Sequence, residues 1–252
     1  MSSSDTGRID REIGHGRRLA ARGAETAWGW ASPAGQVRAR RRAALIARGA
    51  NLGPASVALE VGCGTGLFTA LFLESGCALR AIDVSPDLLA IARQRGLPRV
   101  EFEEAPLETY APGELFDGVI GSSVLHHLDL PVAFHAMLRL LKPGGVMSFA
   151  EPNILNPQVW AERRLRWLFP GVSPDETAFA RFALRRTLTR VGFADVRIRP
   201  FDWLHPLTPA PLIGVVSRVG RVLEQLPAAR ECAGSLHIVA VRPADTLTRV
   251  RA

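Results

Sequence analysis

Lysine and tyrosine are almost missing from this 252-residue chain: Lys142 and Tyr110 are the single example of each. Of its 31 basic residues 30 are therefore arginine, a skew that a GC-rich coding preference explains as readily as recognition chemistry does. One tyrosine and one lysine cannot build a Tyr-x-x-x-Lys dehydrogenase dyad, and no GxxxxGKS/T phosphate loop occurs. The three cysteines (Cys63, Cys77 and Cys232) are odd in number and widely spaced, with no CxxC pair and no Cys/His cluster. A disulfide framework or a structural zinc is not expected, and a reducing, cytoplasmic setting fits. No apolar run approaches the roughly 18–20 residues that cross a bilayer. The opening MSSSDTGRIDREIGHGRR lacks the apolar stretch of a secretory signal. Internal repeats and low-complexity tracts are absent as well.

What is present is a core-forming composition. Hydrophobic residues make up 47% of the chain and mean hydropathy is +0.10, which excludes a disordered or collagen-like polymer. The formal charge of +7 is unevenly spread. Residues 1–54 carry ten Arg against four acids, residues 55–151 six basic residues against twelve acids, and residues 152–252 fifteen Arg against eight acids. An acidic centre flanked by basic segments suits a cation held in the middle, and suits an ordinary solvated surface equally.

The hydrophobic pattern divides the chain in the same places. Residues 1–54 lack strand-like alternation and read as a helical N-terminal arm or lid, closed by Gly53-Pro54. From 55 onward strands alternate with helices. SVALEV (56–61), CALRAIDV (77–84), RVEFEEA (99–105), LFDGVIGSS (115–123) and VMSFAEP (146–152) are the strands. Between them Ser85-Pro86 and Pro131 open helices and Lys142-Pro143-Gly144-Gly145 stops one. Strands are also expected at 195–201 and 235–243, and a helix at 178–193 ends at Gly192. This alternation predicts an α/β fold with a doubly wound, mostly parallel sheet, in which residues 55–252 form the main domain. Two insertions, at about 152–180 and 203–234, interrupt it.

The strongest motif is LEVGCGTG, residues 59–66. A strand ends and Gly62, Gly64 and Gly66 lead into a helix, so the backbone can turn sharply and approach a ligand. Asp83 ends the next strand, where a carboxylate accepts hydrogen bonds from ribose hydroxyls. Dinucleotide and S-adenosylmethionine sites share this pair of features. A dinucleotide fingerprint wants Gly or Ala at 67, where this chain has Leu67. Glu60 suits a ligand carrying an ammonium and a sulfonium and would be poorly placed beside a pyrophosphate.

From about 55 to 152 the sequence resembles the class I S-adenosylmethionine-dependent methyltransferase core, of the small-molecule, methyltransferase type 11-like kind. LEVGCGTG, AIDVSPDLL, EFEEAPLE, FDGVIGSSVLHHLDLP and LLKPGGVMSFAEPN match that family's successive motifs in order. The resemblance implies a seven-stranded Rossmann-like sheet whose last strand is antiparallel. It implies S-adenosyl-L-methionine as cofactor, with S-adenosyl-L-homocysteine as product, and no metal. It places Gly62, Cys63, Gly64 and Gly66 against the methionine and ribose. Asp83 falls on the ribose hydroxyls and Val84 on the adenine face. Glu104 and Ala105 fall at the adenine edge, with Glu103-Glu104 leaving the register open. Ser122 and Ser123 lie near the methyl group, and Glu60 meets the methionine amino group directly or through water.

Methyl transfer from a sulfonium is an in-line displacement, so positioning and water exclusion carry most of the catalysis, and a general base helps a hydroxyl acceptor. His126 is the favoured base, with His127 expected to turn another way. Glu151, at the end of the fifth strand, is expected to point toward the substrate. His15 and His205 are weaker candidates. Trp28, Trp30, Trp160, Trp167 and Trp203 all lie outside the core segment, where they form an apolar lid or pack helices onto the core. The expected acceptor is a small apolar or amphipathic molecule, methylated at O or C. RRLRWLF (163–169) suits peripheral contact with an anionic membrane surface. Nucleic acid is disfavoured, because the arginines are dispersed and no recognition module appears. A cofactor-binding protein without catalysis and a nicotinamide-dependent oxidoreductase remain the alternative readings.

Overall fold

The protein is described by a computed structural model. The structure describes residues 3–165 and 177–244. Trp167, and with it most of the RRLRWLF segment, lies outside them.

Three helices come first: α1 (Ser3–Arg22), α2 (Ala24–Ala27) and α3 (Pro33–Gly49). Ser32 caps α3 by accepting a hydrogen bond from the Gly35 N–H, and Pro33 occupies the first turn, where a missing N–H costs nothing. Then strand and helix alternate through β1 (Val57–Val61), α4 (Leu67–Phe72), β2 (Ala78–Asp83), α5 (Pro86–Gln94), β3 (Val100–Glu104) and β4 (Phe116–Ser122). The remainder is α6 (Leu130–Leu140), β5 (Leu141–Pro152), α7 (Pro157–Arg164), α8 (Arg181–Val191), β6 (Ala194–Phe201), α9 (Ile213–Leu223) and β7 (Ser235–Val241).

The strands form one seven-stranded sheet in the order β3-β2-β1-β4-β5-β7-β6. β1 to β5 are parallel, and β7 runs antiparallel to both β5 and β6. The strand order reverses between β1 and β4, and ligands of open α/β sheets bind beyond the carboxyl ends of the strands at such a switch. Lys142-Pro143-Gly144-Gly145, read from sequence as a helix stop, lies inside β5. Phe116 already pairs with Leu141, and the register shifts before Gly118 meets Val146.

Side chains on a strand alternate between faces, so each strand feeds two cores. Leu59, Val61, Met147 and Phe149 pack with α6 and α8 on one face. Ala58, Ile120 and Ala150 pack with Ala39, Ala43 and Ile46 of α3 on the other. α3 is therefore part of the body of the molecule, whereas α1 and α2 form the cover.

Candidate functional site

The carboxyl ends of β1, β2 and β4 open into a cavity of about 800 Å³, roofed by α1 and the α2 segment. Its floor is the glycine turn. Gly62, Gly64 and Gly66 all have positive φ (67°, 53° and 75°), a region that L side chains rarely adopt. A Cβ at Gly62 would lie 2.4 Å from Val124 Cγ2, so the turn after β1 and the turn after β4 touch only because residue 62 has no side chain.

Asp83 holds this turn. Its Oδ2 accepts from the Gly64 N–H at 2.8 Å and its Oδ1 from the Ser85 N–H at 2.9 Å. Burial raises the Asp83 pKa, although these N–H groups pull it back down. Val84, Cys63 and Ala105 share the wall with Asp83. Burial, with Asp83 and Glu60 nearby, holds the Cys63 thiol well above its ordinary pKa, so it is a small neutral packing group.

Glu60 faces the α3/α4 side of the sheet, beneath the turn, and is fully buried. Its Oε2 has no hydrogen-bond partner. Burial, with Asp83 adding to it, pushes its pKa up to about 8. A buried carboxyl with one unpartnered oxygen, which a nearby positive charge would ionise, beside the buried Asp83, fits a cationic ligand above the turn. These residues fit a sulfonium nucleoside. Glu60 does not itself line the cavity, and Gly66 stands back from it at the N-terminus of α4. Glu104 also stands off the wall: it ends the edge strand β3 with its side chain in solvent, while Ala105 and Leu107 take the adjoining wall.

The turn after β4 carries the other half of the site. Ser122, Ser123, His126 and His127 all line the cavity. Both histidine rings sit on the wall, with centroids 4.1 Å apart, so His127 does not turn away as its sequence neighbours suggested. Glu151 does not face the substrate side. It is fully buried, and its Oε1 accepts from the N–H groups of Val124 and Leu125 at 2.8 and 2.9 Å. Its Oε2 lies 2.8 Å from His126 Nδ1. The carboxylate ends a strand whose odd-numbered residues face α6, directly under the turn, which is why it braces the turn from below. With both backbone donors committed to Oε1, Nδ1 is assigned as the donor to Oε2, leaving Nε2 as the basic nitrogen of a ring on the cavity wall.

Sequence reasoning missed three contributors. Arg42 of α3 is buried and reaches under the turn, where its Nη1 donates to Ser123 Oγ at 3.0 Å and to the Ala150 carbonyl at 3.1 Å. Its Nη2 bonds Ser235 Oγ, and its Nε has no partner. Burial and the neighbouring Arg38 lower its pKa to about 10. Glu12 of α1 lies 3.2 Å from His127 Nδ1. Although burial raises its pKa, the bond and charge of His127 hold it below the ordinary glutamate value. Arg8 bonds Glu108 and the His127 carbonyl. Arg8, Glu12, His15 and Leu19 all line the cavity, and their i, i+4, i+7, i+11 spacing was the available signal.

Glu25 latches the cover to the floor: Thr65 Oγ1 donates to it at 3.0 Å, and Arg95, whose Nε donates to the Thr65 carbonyl at 2.6 Å, pairs with it too. Trp28 lies over Gly64, and Trp30 meets Phe68 edge-on at 5.3 Å. His205 is occupied at the loop surface, 2.8 Å from Gln158 and accepting from the Leu207 N–H. Among the described residues no group of three or more His, Cys, Asp or Glu is placed to hold a metal ion.

Comparison with known proteins finds a family resemblance over part of the chain. Residues 59–149 match the profile of the methyltransferase domain family. Trans-aconitate 2-methyltransferase of Azoarcus sp. (strain BH72) is 37% identical over 119 residues, covering 45% of this chain and 46% of that protein. A ubiquinone biosynthesis O-methyltransferase of Xanthomonas oryzae pv. oryzae is 36% identical over 101 residues, covering 38% of this chain and 42% of that protein. The chain thus spans less than half the length of either relative. Among solved structures, the N-methyltransferase NodS from Bradyrhizobium japonicum WM9 in complex with S-adenosyl-L-homocysteine superposes with a TM-score of 0.63 at 20% identity, covering 92% of this chain and 98% of that one. The seven-stranded sheet is that of the class I methyltransferase fold.

Proposed function

We propose that this chain, whose residues 59–149 carry a class I methyltransferase domain, transfers a methyl group from S-adenosylmethionine to an ionisable O–H or N–H of a small acceptor. The observation that carries this reading is the His126–Glu151 pair, a ring on the cavity wall held at 2.8 Å by a fully buried carboxylate. A base of this kind has no purpose in a site that only stores the cofactor. It narrows the acceptor to one that must lose a proton, which disfavours an unactivated carbon. Relatives acting at O and at N are both represented among the similar proteins.

The bound cofactor supplies an electrophilic methyl group on a positively charged sulfur. The glycine turn and Asp83 hold the nucleoside, and the acidic floor under the turn favours its charge. His126 Nε2 would accept the acceptor's proton, so that its O or N lone pair is free to meet that electrophile. Glu151 keeps the ring in one tautomer and stabilises the imidazolium that results. Trp28, Trp30 and α1 exclude water that would compete as nucleophile.

Titration calorimetry with S-adenosylmethionine, S-adenosylhomocysteine and NADH tests the first half of the proposal. Binding of the two sulfur nucleosides and not of NADH is expected; indifference to both at millimolar levels overturns it. An acceptor screen with labelled cofactor tests the second half.

A further inference from the structure

We infer that α9 docks the protein onto an anionic lipid bilayer. The helix exposes Leu212, just ahead of its first turn, with Val215, Val219, Val222 and Leu226. Each of the five is at least half exposed. Their spacing of 3, 4, 3 and 4 residues puts them on one stripe. Three aligned aliphatic side chains on a helix of eleven residues, with one more in the turn at either end, are not scattered surface hydrophobes.

The charges on the same helix select the occupant. Arg218 and Arg221 are exposed beside the stripe and form no ion pair among the described residues. The single acid of this stretch, Glu224, is turned inward, pairing with Arg41 and accepting from the Asp202 N–H at 2.9 Å. The outer surface of α9 is therefore apolar and basic with no exposed carboxylate. A second copy packed on it across a two-fold axis would bring arginines toward arginines. A helix about 16 Å long also falls short of the roughly 1,200 Å² that a stable dimer buries. An anionic bilayer satisfies both features: aliphatic side chains enter the acyl boundary while guanidinium groups meet lipid phosphates.

The segment that leads into the stripe also reaches the cavity. Leu207, 82% exposed, lines the cavity mouth and lies five residues before Leu212. Docking through α9 brings that mouth to the membrane surface. This holds whether or not the methyl-transfer reading does, since it concerns the outer face of the helix.

Co-sedimentation of the full chain tests it, using vesicles of phosphatidylcholine alone and of phosphatidylcholine with about 30% phosphatidylglycerol. The protein is expected to bind the anionic vesicles and to be released by salt. Val215→Asp with Val219→Asp should lower the partition constant about tenfold or more, and Arg218→Glu with Arg221→Glu should remove the preference for the anionic lipid. Val219→Ser gives a milder loss that leaves folding untouched, and unchanged cofactor affinity and melting temperature identify each variant as folded. Absence of binding to the anionic vesicles overturns the inference. So does binding that the stripe variants leave unchanged, or a dimer in light scattering that they dissociate.

Discussion

In the proposed reaction His126 takes a proton and must present one basic nitrogen reproducibly, a task that falls to a carboxylate with no freedom of its own. Glu151 is pinned by two backbone N–H groups, so its remaining oxygen has one place to be. Replacing His126 by Ala should cut kcat by about 10²–10⁴ while the cofactor Kd changes less than about threefold. Single-turnover rates and calorimetry check the two halves, and an unchanged kcat removes His126 from the mechanism. Glu151→Gln should show a smaller loss in kcat together with a lower melting temperature, because the amide cannot serve both the turn and the ring as an anion does. Arg42 makes a different prediction. Its guanidinium answers hydroxyl and carbonyl groups at the base of the turn, so Arg42→Met leaves those groups buried without a donor. A destabilisation of about 2–4 kcal/mol is expected in urea melts, with Arg42→Lys intermediate.

At the scale of elements, α1 is a cover fastened by polar contacts. Gly16 is where α1 meets α5, since a Cβ there would sit 2.3 Å from Ser85 Oγ, and Glu12 and Arg8 fasten its other end to the β4 turn and to Glu108. A helix held this way opens at lower cost than one held by a core. Glu12→Gln should increase amide exchange along α1 several-fold and raise KM more than it lowers kcat. Because the Glu12 pKa is lowered in the fold, its contribution is present above about pH 4.5 and is lost as pH falls through the folded value. Exchange rates corrected for pH should show α1 loosening first on acidification; protection of α1 unaltered by the substitution excludes Glu12 as a fastener.

For the whole molecule, two buried groups set the pH response in opposite senses. Burial, with Arg48, Arg199, Arg197 and Arg42 around it, lowers His237 to about 4. The unfolded chain therefore binds the extra proton between about 4 and 6.5, and His237 costs stability as pH falls through that range. Glu60, raised to about 8, binds its proton in the folded state, so it costs stability as pH rises from about 4.5 to 8. The two effects oppose each other below pH 6.5, Asp83, which burial also raises, acts in the same sense as Glu60, and above pH 6.5 the His237 effect is gone. Urea midpoints should fall between pH 6.5 and 8, at up to about 1.4 kcal/mol per unit. Glu60→Gln should flatten that fall, and saturating cofactor should lessen it by favouring the ionised carboxylate. Cofactor binding at pH 7 should also release a fraction of a proton from the wild type and none from Glu60→Gln, a difference read from calorimetry in buffers of different ionisation heat.

The alternation of strand and helix, the cap at Ser85, the glycine turn and Asp83 could all be read from the chain, because each is settled by residues within a few positions of one another. Backbone conformation and facing direction are local properties, and Gly62 with positive φ means the same thing in any surroundings. The partners of the polar side chains could not be read in this way. Glu12 meets His127 across 115 residues, Arg42 meets Ser123 across 81, and Glu151 meets His126 across 25. Nothing in composition or periodicity says which carboxylate a distant loop will bring within 3 Å of which ring. That choice belongs to the packing of α1 and α3 on the sheet, and it made Glu151 a brace, returned His127 to the cavity and left the aliphatic stripe of α9 facing outward.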